Sequence, residues 1–301
     1  MLYAKTVIVD EEENVIGIYD KVFSFTIGEI KYIVVYKNGK EGLLDQDGNE
    51  VFPIIYDHIS TFEEKYIKLI IGDYIGLATK EGKILFKPER YIDIDEFEND
   101  LAIVKVFENG KRMYGFIDRE GKEVIEATYD EAYRFYKYDY AKVKLHGLWG
   151  LIRRDGTSIG KIKYYDVNAF VDKYALVKDK YTCNYIDRDG NEVFDIWFDE
   201  LPYGYFDDRG LQIVRSNGKY GVISKDGKVV HEPKYEEIEW FDNDGISIAK
   251  LNGKYGYLST DGKVLTEFIF DSAKHFNGSL KAKVRIGMKS YYLGRDFKIY
   301  K

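Results

Sequence analysis

The chain has 301 residues and a formal net charge of −7, from 45 basic and 52 acidic residues whose signs are interspersed. That length allows one or two domains with an ample core, and that charge gives no reason to expect sequence-independent phosphate binding. The single cysteine, Cys183, excludes an intrachain disulfide and a cysteine-built zinc site.

Aromatics make up 16% of the residues, with 28 Tyr, 18 Phe and 3 Trp, and flat side chains favour a pleated, half-buried surface. The opening MLYAKTVIVDEEEN lacks the cationic start and long apolar run of a signal peptide. No apolar stretch approaches the 18 residues of a membrane helix, so a reduced, cytoplasmic setting is expected.

In chain order, a glycine followed by apolar residues and, six positions later, a second glycine sets a repeating register. It reads GLLDQDGNEV from Gly42, GLATKEGKIL from Gly76, GFIDREGKEV from Gly115 and GLIRRDGTSI from Gly150. It continues as NYIDRDGNEV from Asn184, GVISKDGKVV from Gly221 and GYLSTDGKVL from Gly256. Degenerate copies from Val7 and Tyr291 close the ends, so nine hairpins bracket eight periods of roughly 35 residues. Dipeptides such as Asp47-Gly48, Asp155-Gly156 and Asp226-Gly227 read as hairpin turns, because a tight turn needs a positive φ that glycine adopts without strain. A second turn, clearest at Asn38-Gly39, Asn109-Gly110, Asn217-Gly218 and Asn252-Gly253, precedes each first glycine. Alternating strands such as Leu101–Val106 and Ile246–Lys250 lie before it, giving at least three antiparallel strands per unit. An aromatic–acid–x–apolar tetrad with a Phe three residues on forms the step between units. It occurs at Tyr19, Tyr56, Tyr129, Tyr165 (one residue short), Tyr235 and Phe270.

This pattern resembles the WG-repeat (KWG) family of bacterial proteins over essentially the whole chain. The aromatic–Gly pair is literal at Trp149-Gly150 and carries Tyr at Tyr114-Gly115, Tyr220-Gly221 and Tyr255-Gly256, while Cys183-Asn184 holds the position with neither residue. The resemblance implies an interaction array and carries over no catalytic residue. The fold class expected is all-β: one 1–301 domain of tandem β-hairpin repeats stacked as an open superhelical array, or alternatively an eight-bladed propeller. Residues 1–22 would cap the N-terminus, and 277–301 form a degenerate last repeat.

The four histidines make no metal-ligand spacing, and no phosphate-binding glycine motif occurs in context. Asp45-Gln46-Asp47-Gly48 and Asp187-Arg188-Asp189-Gly190 are too short for a calcium loop and sit at hairpins. Tyr133–Tyr140 interleaves aromatics with cations, yet acids flank it. Unlike groups gather where a repeat breaks. Phe107–Met113 lengthens one hairpin, and Pro202–Gly210 replaces the usual Phe step and offers Tyr203, Tyr205, Asp207, Asp208 and Arg209. Trp197 and Trp240, off the family position, are candidate anchors. The reading is a non-enzymatic protein-binding or scaffold module without metal or cofactor. A carbohydrate-binding repeat protein is the alternative, and a propeller-type glycoside hydrolase ranks last.

Overall fold

The computed structural model describes residues 6–9, 15–135, 139–201 and 206–301, and it contains thirty strands and no helix among them. The chain divides into two compact units, residues 1–163 and 164–301, and the division falls between repeats four and five. Every sheet is an antiparallel meander of strands consecutive in sequence, and none closes on itself among the described residues. The fold is therefore all-β, built from tandem repeats of roughly 35 residues in successive sheets.

Each repeat begins at a buried aromatic, where the chain passes from one sheet to the next except at Tyr91, which lies within the strand Ile84–Ile94 of a seven-stranded sheet spanning two repeats. Among the described residues there are eight such steps: Tyr19, Tyr56, Tyr91, Tyr129, Tyr164, Phe198, Tyr235 and Phe270, none more than 8% exposed. They correct the sequence reading in two places. Tyr164, at 2% exposure, is the step residue of repeat five, and the neighbouring Tyr165 is 63% exposed. Tyr91 and Phe198 supply steps that fall outside the tetrad pattern, because the acid after Tyr91 and the Phe after Phe198 are displaced.

Between steps, the first and second strands pair around a two-residue turn. Asn109 and Gly110 have φ of 52° and 76°, and His146 and Gly147 have 51° and 80°, both residues left-handed as a type I′ turn demands. The Asp-Gly hairpins are built otherwise. Gly48 alone is left-handed, at 85°, and the turn starts at Asp45, whose carboxylate accepts from the amides of Asp47 (3.0 Å) and Asn49 (2.8 Å). Asp187 does the same for Asp189 and Asn191. These carboxylates point into their own turns.

The glycine after the family aromatic has ordinary φ, and its requirement is space. A Cβ on Gly115 would stand 2.6 Å from the backbone N of Ala127, and one on Gly221 would stand 2.6 Å from the carbonyl of His231. The third strand bulges across this point: its register shifts between Tyr114 and Phe116. Pro53 and Pro233 lie on such third strands at sheet edges, which tolerate a missing donor, and Pro88 lies on the strand Ile84–Ile94 where its register shifts between Phe86 and Tyr91.

The core is a succession of clusters shared by neighbouring repeats. One joins Leu43 and Phe52 of repeat one to Ile67, Leu69 and Ala78 of repeat two. Another joins Phe116 and Ile103 to Val143 and Ile152. Step aromatics and the Phe that follows them lie in these clusters, as at Tyr129 and Phe135.

Candidate functional site

Directly opposed residues of an antiparallel pair project to the same face. In four repeats this register lines up an acid, a cation and the family aromatic across three strands. In repeat four Glu131 opposes Lys144, which opposes Trp149. Lys144 Nζ lies 2.8 Å from Glu131 and 5.0 Å from the centroid of the indole. The corresponding sets are Asp93–Lys105–Tyr114, Glu200–Arg215–Tyr220 and Glu237–Lys250–Tyr255. Their ion pairs span 2.6, 3.4 and 3.0 Å, and their cation-to-ring distances are 5.8, 5.7 and 5.4 Å. The hydrogen bond to Glu131 raises the Lys144 ammonium above its usual range, and Glu237 does the same for Lys250. All four rings are half-buried. A cation over an aromatic face, held by a carboxylate, is a preorganised recognition element.

Repeat five departs from this plan. Its register places Asp166 opposite Lys178 and Lys178 opposite Cys183, so a small side chain stands where four repeats place a ring. Cys183 is buried, its thiol donates to the carbonyl of Phe198 at 3.4 Å, and desolvation pushes the thiol up to about 11. The buried Asn184 occupies the glycine position; its side-chain amide donates to the carbonyl of Phe194 at 2.8 Å, and its oxygen accepts from the Tyr185 amide. The third strand there is reduced to two bridges, Ile186 with Glu192 and Cys183 with Phe198. The turn is also unlike its siblings: Asp179–Thr182 replaces the Asn-Gly pair, and Tyr181 is 76% exposed at its tip. Beside Cys183 lies a pocket of about 370 Å³, lined by the strand Leu176–Cys183 turn and by Asp199, Glu200 and Leu201.

Of the residues expected from sequence, Tyr203 and Tyr205 lie outside the described residues. The carboxylate of Asp207 accepts from the amides of Arg209 (3.0 Å) and Leu211 (2.8 Å), as Asp242 does for Asp244 and Ile246. The guanidinium of Arg209 donates to the carbonyls of Phe241 and Asp242, and Asp208 is exposed in the same turn. The Phe step is not replaced: Phe206 supplies it, its ring 5.7 Å from that of Tyr185. Its distance of one 35-residue period before Phe241 was the available signal. Trp197 lies against Tyr164 at 6.4 Å and donates its indole N–H to Glu192 at 3.0 Å. Trp240 is half-buried on the cluster of Leu211, Ile213 and Val222. These residues thus serve separate local structures. Tyr133 is half-exposed on Trp149, while Phe135 of the same stretch is 1% exposed core; Tyr136, Lys137 and Tyr138 lie outside the described residues.

The four histidines are dispersed. His58 meets Glu41, His275 meets Glu239, His146 forms a turn, and the buried His231 donates to the Ser259 carbonyl at 2.8 Å. Among the described residues no three His, Cys, Asp or Glu side chains converge as a metal set would.

A β-meander repeat with an aromatic–Gly pair opening its second strand defines a tandem-repeat protein of the all-β class. The WG-containing repeat matches residues 42–72, 75–111, 114–149, 149–182, 185–220, 220–255 and 255–289, and the chain belongs to that family. No curated protein matches the sequence. Among solved structures, Hsv2p of Kluyveromyces lactis is 13% identical, with 76% of this chain and 81% of that one covered at a TM-score of 0.28. The dihydro-heme d1 dehydrogenase NirN is 11% identical, with 99% and 77% covered at 0.28. Superpositions this loose carry no argument about the chain.

Proposed function

We propose that the protein is a non-enzymatic binding array that recognises a partner protein through its acid–cation–aromatic rows. The observation carrying this reading is the recurrence of one row in four repeats, each presenting a half-buried ring under Lys or Arg. Aromatic and arginine side chains are the residue types that dominate protein–protein recognition energy, and a row fixed by ion pairs loses little freedom on binding. The recurring acids have structural partners, in turn caps or row ion pairs, which favours a scaffold over paired-carboxylate hydrolysis. The setting proposed is the reducing cytoplasm, with no cofactor.

The test is capture by cross-linking from native lysate with the full chain and with a Trp149→Ala, Tyr220→Ala, Tyr255→Ala variant that melts cooperatively. Loss of one defined partner in the variant supports the reading. Undiminished capture, or multiple turnover of a sugar substrate, overturns it.

A further inference from the structure

The pocket of repeat five occupies the place where repeats three, four, six and seven keep a ring. Three observations converge on it. The register Asp166–Lys178–Cys183 supplies the acid and cation positions of a row but ends in a side chain too small to reach under the ammonium. Among the described residues, no carboxylate pairs with Lys178 and no ring lies beneath it, whereas Lys105, Lys144 and Lys250 each have both. Leu201, on the pocket wall, stands at the step position held by Ala132 and Ala273, which share clusters with the family rings Tyr114 and Tyr255. About 370 Å³ is at the small end of the range for ligand sites, a space for one ring system and little more.

We propose that this pocket receives a single aromatic side chain, tyrosine or tryptophan, from a partner polypeptide, completing the row of repeat five in trans. The ring face meets the Lys178 ammonium, as the indole of Trp149 meets Lys144, while Leu176 and Leu201 cover its edges. The exposed Tyr181 on the adjoining turn gives the incoming chain a second aromatic contact at the rim. This inference rests on the protein-binding reading and names the chemistry of the anchor. Rows three, four, six and seven offer rings to a partner; row five takes one.

The experiment uses the full chain, with N-acetyltryptophanamide, N-acetyltyrosinamide and N-acetylleucinamide as probes and amide chemical shifts as readout. Both aromatic probes should give saturable shifts at Lys178, Lys180, Thr182 and Leu201, with a Kd on the order of 1 mM, and leucinamide none. Cys183→Trp fills the space from within and should weaken aromatic binding at least about tenfold without lowering the melting temperature. Should that variant fail to fold, Lys178→Ala keeps the pocket and should weaken binding about two- to fivefold. Equal shifts with leucinamide, no saturable shifts with the aromatic probes, or wild-type affinity in the folded variants overturns the inference. So does markedly tighter binding of free tryptophan than of its amide, which would assign the pocket to a small molecule. If the rows capture a partner and the probes fail, this inference alone falls; if the probes bind and the row variant keeps its partner, the row-based reading falls.

Discussion

The carboxylate of Asp57 accepts from Lys40 Nζ at 2.6 Å and from the Gly72 amide at 2.8 Å, and these contacts hold it below the usual carboxylate range. The same contact recurs in six repeats. Asp20, Asp130, Asp199, Glu236 and Asp271 accept from Asn38, Gly147, Gly218, Gly253 and Gly287. The acid that follows a step aromatic thus ties down the turn after the next strand. A carboxylate whose folded pKa is depressed contributes stability above its unfolded value and loses it as pH falls through the folded one. Asp57, Asp271, Asp45 and Asp187 are all lowered from 3.8. Thermal melts should therefore be flat in this respect above about pH 5 and fall steeply below about pH 4. His231 has the opposite charge type and acts earlier. Burial lowers it from 6.5, so its neutral form is preferred in the fold, and its contribution is complete above that value and declines as pH drops through it. His231→Gln should remove the loss of melting temperature on going from about pH 7.5 to 5.5, measured against wild type. At this scale the sequence was misleading at Tyr165, where the neighbouring Asp166 completes a tetrad that the buried Tyr164 actually anchors.

A strand pair can absorb much, but not a side chain at the crossing of the second and third strands. Gly115→Ala would drive a Cβ to 2.6 Å from the Ala127 nitrogen and must displace the bulged strand Glu123–Tyr129. A cost of about 1–3 kcal/mol is expected, read from urea unfolding midpoints at unchanged slope. In repeat five Asn184 stands at this position and pairs its amide with the carbonyl of Phe194; the third strand there is reduced to bridges, as it is in repeat seven, which keeps Gly256. The turns were legible in the sequence, because a left-handed residue restricts composition locally. The rows were not. Glu131, Lys144 and Trp149 are 13 and 5 residues apart, and nothing short of the strand register sets them side by side. The missing aromatic at Cys183-Asn184 was visible in the repeat register, but the pocket beside it was not, because Lys178 and Leu201 reach it only through the strand pairing and the step between repeats.

In the whole molecule, each hydrophobic cluster joins one repeat to the next, so stability is expected to pass between neighbours and decay beyond them. Leu69→Ala, in the cluster shared by repeats one and two, should cost about 2–5 kcal/mol of local stability. Amide hydrogen exchange should accelerate in Ile30–Lys37 and Tyr66–Ile71, while Leu148–Arg153 of the same unit keeps its protection. Uniform acceleration across residues 1–163 would instead mean one cooperative block. Tandem organisation could be read from the 35-residue recurrence, and the all-β class from the two tight turns and the alternating strands within each period.

The turn caps also govern how the protein ages. An Asn-Gly pair degrades when the glycine nitrogen gives up its proton and attacks the asparagine side-chain carbonyl, releasing ammonia through a cyclic imide. Asp199 and Glu236 hold the N–H of Gly218 and Gly253, and a proton shared with a carboxylate is harder to surrender. Repeat three has its acid one place later, at Asp93, engaged with Lys105, and the Gly110 amide has no such guard among the described residues. Gly39 is likewise unguarded, since Asp20 holds the amide of Asn38 and not that of the glycine. Stored protein should therefore acquire aspartate and isoaspartate first at Asn109 and Asn38, the two Asn-Gly hairpins whose glycine amide no carboxylate holds among the described residues.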